Sequence, residues 1–154
     1  MEPLSETAIL ARTGSKVFAR GQNYYQSGAI LSLAKRGNSL YAKVEGSDVE
    51  PYRVAVMWGE NGEVEADCSC PYGKEWDGWC KHIVAVLLAY AQGDKKIKEQ
   101  QPLEKWLESH SREQLVDLLL ELNRRNPALY DEVVAVVTGE EPEEDDEDDE
   151  EDGW

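Results

Sequence analysis

Val64-Glu65-Ala66-Asp67-Cys68-Ser69-Cys70, followed nine residues later by Cys80-Lys81-His82-Ile83-Val84, decides the reading of this chain. The stretch holds all three cysteines and one of the two histidines among 154 residues. Val64, Ala66, Cys68 and Cys70 recur with a period of two, as on a strand with one buried face. Side chains two apart on a strand share a face, so Cys68 and Cys70 aim at one point. In a regular helix two residues span a rotation of about 200°, so Cys80 and His82 cannot both serve from mid-helix. Their spacing works if Cys80 caps a helix and His82 stands in its first turn, where the helix dipole also favours a thiolate. Three thiolates and an imidazole suit Zn2+, which takes four such donors in a closed tetrahedron. A catalytic zinc keeps one position open for water, and four protein donors leave none. Buried core cysteines, or a Cys68–Cys70 redox pair, explain fewer of these features. Asp67, Glu75 and Asp77 read as solvated loop charges, and His110 has no ligand-spaced companion. Pro71-Tyr72-Gly73 turns the chain off the strand, and Lys74 to Trp79 bring it back, with Trp76 and Trp79 available to shield the site.

Upstream, short alternating segments continue the strand pattern. Ala29 to Lys35 leads to the turn Arg36-Gly37-Asn38; Leu40, Ala42 and Val44 alternate with Tyr41, Lys43 and Glu45; Tyr52, Val54, Val56 and Trp58 alternate again. Gly59-Glu60-Asn61-Gly62 reads as a hairpin turn. Successive strands joined by short turns predict an antiparallel meander of three or four strands. Before it, Val17, Phe18, Gly21, Tyr24 and Tyr25 make a helical stripe between Thr13-Gly14-Ser15, an N-cap signal, and Gly28, a stop.

Downstream, Ile83, Val84, Leu87, Leu88 and Tyr90–Ala91 predict a helix with a wide apolar face ending near Gly93. Asp94-Lys95-Lys96-Ile97-Lys98 reads as a polar linker, and Pro102 to Glu108 as a short helix. Ser111-Arg112-Glu113-Gln114 is a capping-box pattern before Leu115, Leu118, Leu119 and Leu122. Asn126-Pro127 offers a cap and a first-turn proline for a last helix carrying Leu129, Tyr130, Val133, Val136 and Val137. These two helices predict an αα-hairpin.

Charge is uneven. Glu140 to Asp152 supplies twelve of 32 acidic residues and no basic one, leaving 20 acids against 16 Lys and Arg in the body, a net charge of −4 out of −16. Such a run repels itself and buries nothing, so disorder is the expectation there. The first residues lack the basic and apolar regions of a signal peptide, and no apolar stretch approaches the roughly 18 residues of a membrane span. An odd cysteine number argues against a disulfide framework. A soluble, reducing, cytoplasmic setting is the expectation.

Cys-x-Cys, a short loop, then Cys-x-His ahead of an apolar helix resembles the SWIM-type zinc finger family. Arg20-Gly21-Gln22-Asn23-Tyr24-Tyr25-Gln26-Ser27-Gly28 and Val44-Glu45-Gly46-Ser47 also look like the bacterial proteins that carry this finger. The resemblance implies Cys68, Cys70, Cys80 and His82 as ligands of one structural Zn2+, and a nucleic-acid or protein partner, including a helicase-like remodelling factor. No Ser-His-Asp set, phosphate loop or paired carboxylates argue for an enzyme.

The expectation is an α+β chain: an N-terminal helix, a small antiparallel meander, a zinc-clamped strand-to-helix junction and a C-terminal helical hairpin. The finger domain covers residues 1–100 (finger core 52–92), a helical extension 101–138 and the acidic tail 139–154. Function is a non-enzymatic recognition module. For nucleic acid the candidate contacts are Arg20, Lys35, Arg36, Lys74, Trp76 and Lys81, with Arg12, Lys16, Tyr72 and Trp79 behind them. The aromatics serve equally to cover the zinc site, and the bases are scattered in an acidic body. The alternative is a protein adaptor that uses the helical extension and the tail.

Overall fold

In the computed structural model, residues 1–72, 78–94 and 96–140 are described. Four strands follow one another as the alternation dictates: β1 (Ile30–Arg36), β2 (Ser39–Val44), β3 (Tyr52–Trp58) and β4 (Val64–Cys68). Each pairs antiparallel with the next, with Ala34 opposite Tyr41, Tyr41 opposite Ala55, and Ala55 opposite Asp67. Gly37, at φ 54°, makes the tight turn between Arg36 and Ser39.

The stretch read as a polar linker does more. Ile97–Gln100 is a fifth strand, β5, parallel to β1 from Leu33–Ile97 to Arg36–Gln100. The sheet order is β4-β3-β2-β1-β5. Only Ile97 is half-buried, so an edge strand of this composition carries no apolar signal. It forms because β1 has backbone groups to satisfy on that side.

Helix α3 (Lys81–Ala91) lies on one face of the sheet, and α1 (Glu6–Thr13) and α2 (Ser15–Gln26) pack on α3. One N-terminal helix was expected; there are two, divided at Gly14 (φ 80°), which ends α1 and starts α2. Ser5 caps α1 by accepting from the Ala8 N–H. Ile9 is its one buried residue, too little for a stripe to show in the sequence. The chain start is tied down: the Tyr90 hydroxyl donates to the Met1 carbonyl and the Trp58 indole N–H to that of Glu2.

In α3, His82 through Ala89 are all buried. The helix is enclosed between sheet and helices rather than packed by one face, which is why it is apolar on every side. Gly21 of α2 makes this possible. A Cβ there would stand 2.3 Å from Val84 Cγ1 and 3.1 Å from the Lys81 carbonyl oxygen.

The chain divides into two compact units, Met1–Lys105 and Trp106–Trp154. The short helix α4 (Leu103–Glu108) straddles the division. In the second unit α5 (Arg112–Arg125) carries the capping box: Ser111 Oγ accepts from the Gln114 N–H, and Gln114 Oε1 accepts from the Ser111 N–H. The last helix, α6 (Leu129–Thr138), starts two residues beyond Pro127, since Asn126 and Pro127 form a turn that accepts from the Leu129 and Tyr130 N–H groups. α5 and α6 touch, as the predicted hairpin requires. The acidic run from residue 141 onward lies outside the described residues. Among the described residues no helix is long and apolar enough to cross a membrane.

Candidate metal centre

Cys68 ends β4 opposite Val54. The ladder continues one residue further: the Ser69 N–H donates to the Arg53 carbonyl (3.0 Å), and Ser69 Oγ accepts from the Arg53 N–H (2.9 Å). This keeps the extended parity through Cys70, so both sulfurs face the same side. Across from them Cys80 is the N-cap of α3 (φ −87°, ψ 173°), and His82 is the second helical residue. The extended backbone at Cys80 breaks the helical rotation that would otherwise part the two side chains.

The four donor atoms lie within 4.8 Å of one another, and all four residues are at most 3% exposed. His82 Nδ1 stands 3.7 Å from Cys68 Sγ and 3.6 Å from Cys80 Sγ. A tetrahedral ion with Zn–S near 2.3 Å and Zn–N near 2.05 Å sets nitrogen and sulfur about 3.6 Å apart. The donor set therefore fits one Zn2+, with Nδ1 as the imidazole donor. All four positions are filled by protein, which makes the centre structural.

The thiols are in electrostatic conflict without a cation. The Cys80 thiol is lowered to about 4, first by its hydrogen bond with Cys68 and then by those from His82 and the Ile83 N–H, against burial. Cys68 is raised, first by the same bond to Cys80 and then by burial. One thiolate thus forms readily at the helix start and discourages the next. A divalent cation removes that conflict and stabilises every bound thiol as thiolate.

His82 is gripped by two rings whose sequence pattern marks only a helix stripe and a strand. Tyr24 of α2 meets it edge-on at 5.2 Å and Tyr52 of β3 at 4.9 Å. Tyr52 is held in turn by Ser47, whose Oγ lies 3.2 Å from its hydroxyl. Gly46 leaves room for that ring, since a Cβ would come within 2.3 Å of Tyr52 Cε2. The outer nitrogen, Nε2, is buried with no hydrogen-bond partner among the described residues. The stretches 20–28 and 44–47, singled out by resemblance, thus supply the wall of the site. Two neighbouring tyrosines and a glycine before a strand were the available signal.

The other candidates that are described, Arg20, Lys35, Arg36 and Lys81, stand on three elements, α2, β1 and α3. Lys35 and Arg36 point to opposite faces of β1, and Lys35 pairs with Glu99 at 3.4 Å. Arg20 is exposed on α2, and Lys81 Nζ sits 4.7 Å from the Tyr24 ring. Trp79 is buried beneath the Arg12 guanidinium, 3.9 Å over its ring. Lys74 and Trp76, with Glu75 and Asp77, lie outside the described residues. His110 is exposed, its Nδ1 near the Trp106 carbonyl and the Ser109 hydroxyl.

Fold and site together define a zinc-binding module built on a strand-to-helix clamp. Residues 52–91 match the family model described as SWIM zinc finger, a binding-domain family. The matched segment runs from the first residue of β3 to the last of α3 and includes all four donors. No curated protein and no solved structure matches the chain.

Proposed function

We propose that the chain is a non-enzymatic recognition module in which a structural zinc ion rigidifies a surface for nucleic acid. The carrying observation is how its cations are held. Arg12, Arg36 and Lys81 each stand over an aromatic ring, Trp79, Tyr41 and Tyr24, and among the described residues none of them pairs with a carboxylate. Cations fixed in this way keep their charge available for phosphates, and their planes for bases. The resemblance to SWIM-type fingers points the same way.

A second reading, a protein adaptor, is favoured by one observation. In the unit from Trp106, none of α5 or α6 is buried, and Leu118, Leu119, Leu122, Tyr130 and Val137 are exposed. A salt series of binding to single- and double-stranded DNA and RNA, with the full chain and with a chain ending at Thr138, separates the readings. Nucleic-acid binding predicts affinity that falls steeply with salt. Absence of binding by both chains at low salt transfers the function to the adaptor. Binding only after truncation assigns the acidic run an inhibitory role.

A further inference from the structure

Among the described residues of the first unit, the helices pack on one face of the sheet and the other face carries a cluster of cations. Alternation turns Leu33, Leu40, Val44, Val54 and Val56 inward, and Arg36, Tyr41, Lys43 and Arg53 outward. The register lays Lys98, Ala34, Tyr41, Ala55 and Asp67 in one row across all five strands. Tyr41 therefore stands between two alanines, and a trough of about 920 Å³ opens over the strands there. Among the described residues, five cationic side chains line it against a single carboxylate, that of Asp67.

Two details say that something external completes this face. Lys43 lies directly opposite Arg53 on paired strands, an arrangement of like charges that costs stability. The chain has twice as many acids as bases, 32 against 16, yet neither side chain has an ion-pair partner among the described residues. Beside them the Arg36 guanidinium is 4.6 Å from the centre of the Tyr41 ring, fixed there by donating to Gln100 Oε1 at 2.8 Å. The result is a preformed stacking platform at the edge of a cationic trough.

We propose that this sheet face binds single-stranded nucleic acid, with phosphates on Lys43, Arg53 and Lys98 and a base stacked on the Tyr41–Arg36 pair. The proposal rests on the nucleic-acid reading above and gives it a place and a substrate class. A polymer is required because Lys98 and Arg53 stand three strand spacings apart, about 14 Å, beyond the reach of one phosphate. An unpaired strand is required because an aromatic ring in the floor of a trough meets the face of a base only when that base is not in a duplex.

Fluorescence anisotropy on the full zinc-loaded chain tests it. The probes are a labelled oligonucleotide of about 12 nucleotides, within the site sizes of comparable platforms, the same sequence as a duplex, and an oligoglutamate peptide. The single strand is expected to bind most tightly. The double variant Lys43→Gln/Arg53→Gln is expected to weaken it and to flatten the slope of log affinity against log salt by about 1.4, near 0.7 per lost phosphate contact. Tyr41→Ala should lose about tenfold in affinity, and Tyr41→Phe little, with zinc content unchanged in all three and the thermal midpoint of the double variant no lower than that of the parent chain. If the oligonucleotide binds but responds only to Arg20→Gln/Lys81→Gln, the sheet face is the wrong surface and the nucleic-acid reading survives. Tighter duplex binding overturns the single-strand assignment. Oligoglutamate binding through the same residues, with no oligonucleotide binding, overturns the partner class. No binding to any probe removes both this proposal and the function it rests on.

Discussion

Helices α3 and α5 are helical for opposite reasons. The sequence of α3, Lys-His-Ile-Val-Ala-Val-Leu-Leu-Ala-Tyr-Ala, includes three β-branched residues, has no side-chain cap, and has eight consecutive buried positions. On local preference alone it competes poorly for a helix. It exists because sheet, α2 and the Cys80–His82 clamp surround it. α5 has leucines and glutamates, a complete capping box, and Glu121 bonded to both Arg124 and Arg125, while no residue of it is buried. The lesson is that α3 is specified from outside and α5 from within, so different perturbations should reach each.

Zinc removal should separate them most. A structural zinc contributes on the order of 10–16 kcal/mol in isolated finger peptides. Chelation should therefore erase amide-exchange protection in α3 and leave exchange in α5 unaltered. Cys80→Ser and His82→Ala should act alike, and His110→Ala should change neither helix. Protection of α3 that survives chelation breaks the comparison.

Gly21→Ala comes next. Added helix preference of about 1 kcal/mol is outweighed by a Cβ driven into the fully buried Val84, and overpacking costs about 1–3 kcal/mol. A net loss of up to about 2 kcal/mol is expected in the thermal unfolding of the first unit. Adding Val84→Ala should recover part of it, a positive coupling in a double-mutant cycle. Independent losses from the two substitutions would deny the close approach.

Ser111→Ala should cost about 1 kcal/mol, confined to α5 and invisible at the metal centre. Smallest is Glu121. Hydrogen bonds from Arg124 first, then Arg125, hold its carboxyl below the ordinary 4.5. Its contribution is thus present above pH 4.5 and is lost as pH falls through the lowered value. Glu121→Gln should change α5 helicity barely, and not at all in high salt, because the group is exposed.

The same contrast explains what could be read in advance. Signals carried by neighbours along the chain were legible: the parity of Cys68 and Cys70, the cap at Cys80, the meander, and the Ser111 box. Elements made by the fold were not. β5 is polar because a single residue of it turns inward. α1 buries Ile9 alone. The all-round burial of α3 depends on Gly21, which reads as one more member of a stripe. The alternation of Tyr41 and Lys43 with apolar neighbours was legible, but only the register shows that Lys43 and Arg53 meet.

β4 is an outer strand of the sheet, five residues long, and among the described residues nothing pairs with its far side. Glu65 and Asp67 alternate along it, a modest guard against strand addition. Its end is Cys68, so the ion that holds α3 also anchors one edge strand of the sheet. Loss of zinc then does more than soften a core. It frees an adhesive edge beside newly bared valines, and a metal-starved chain is driven toward self-association, visible as light scattering that rises after chelation and falls again when zinc is restored.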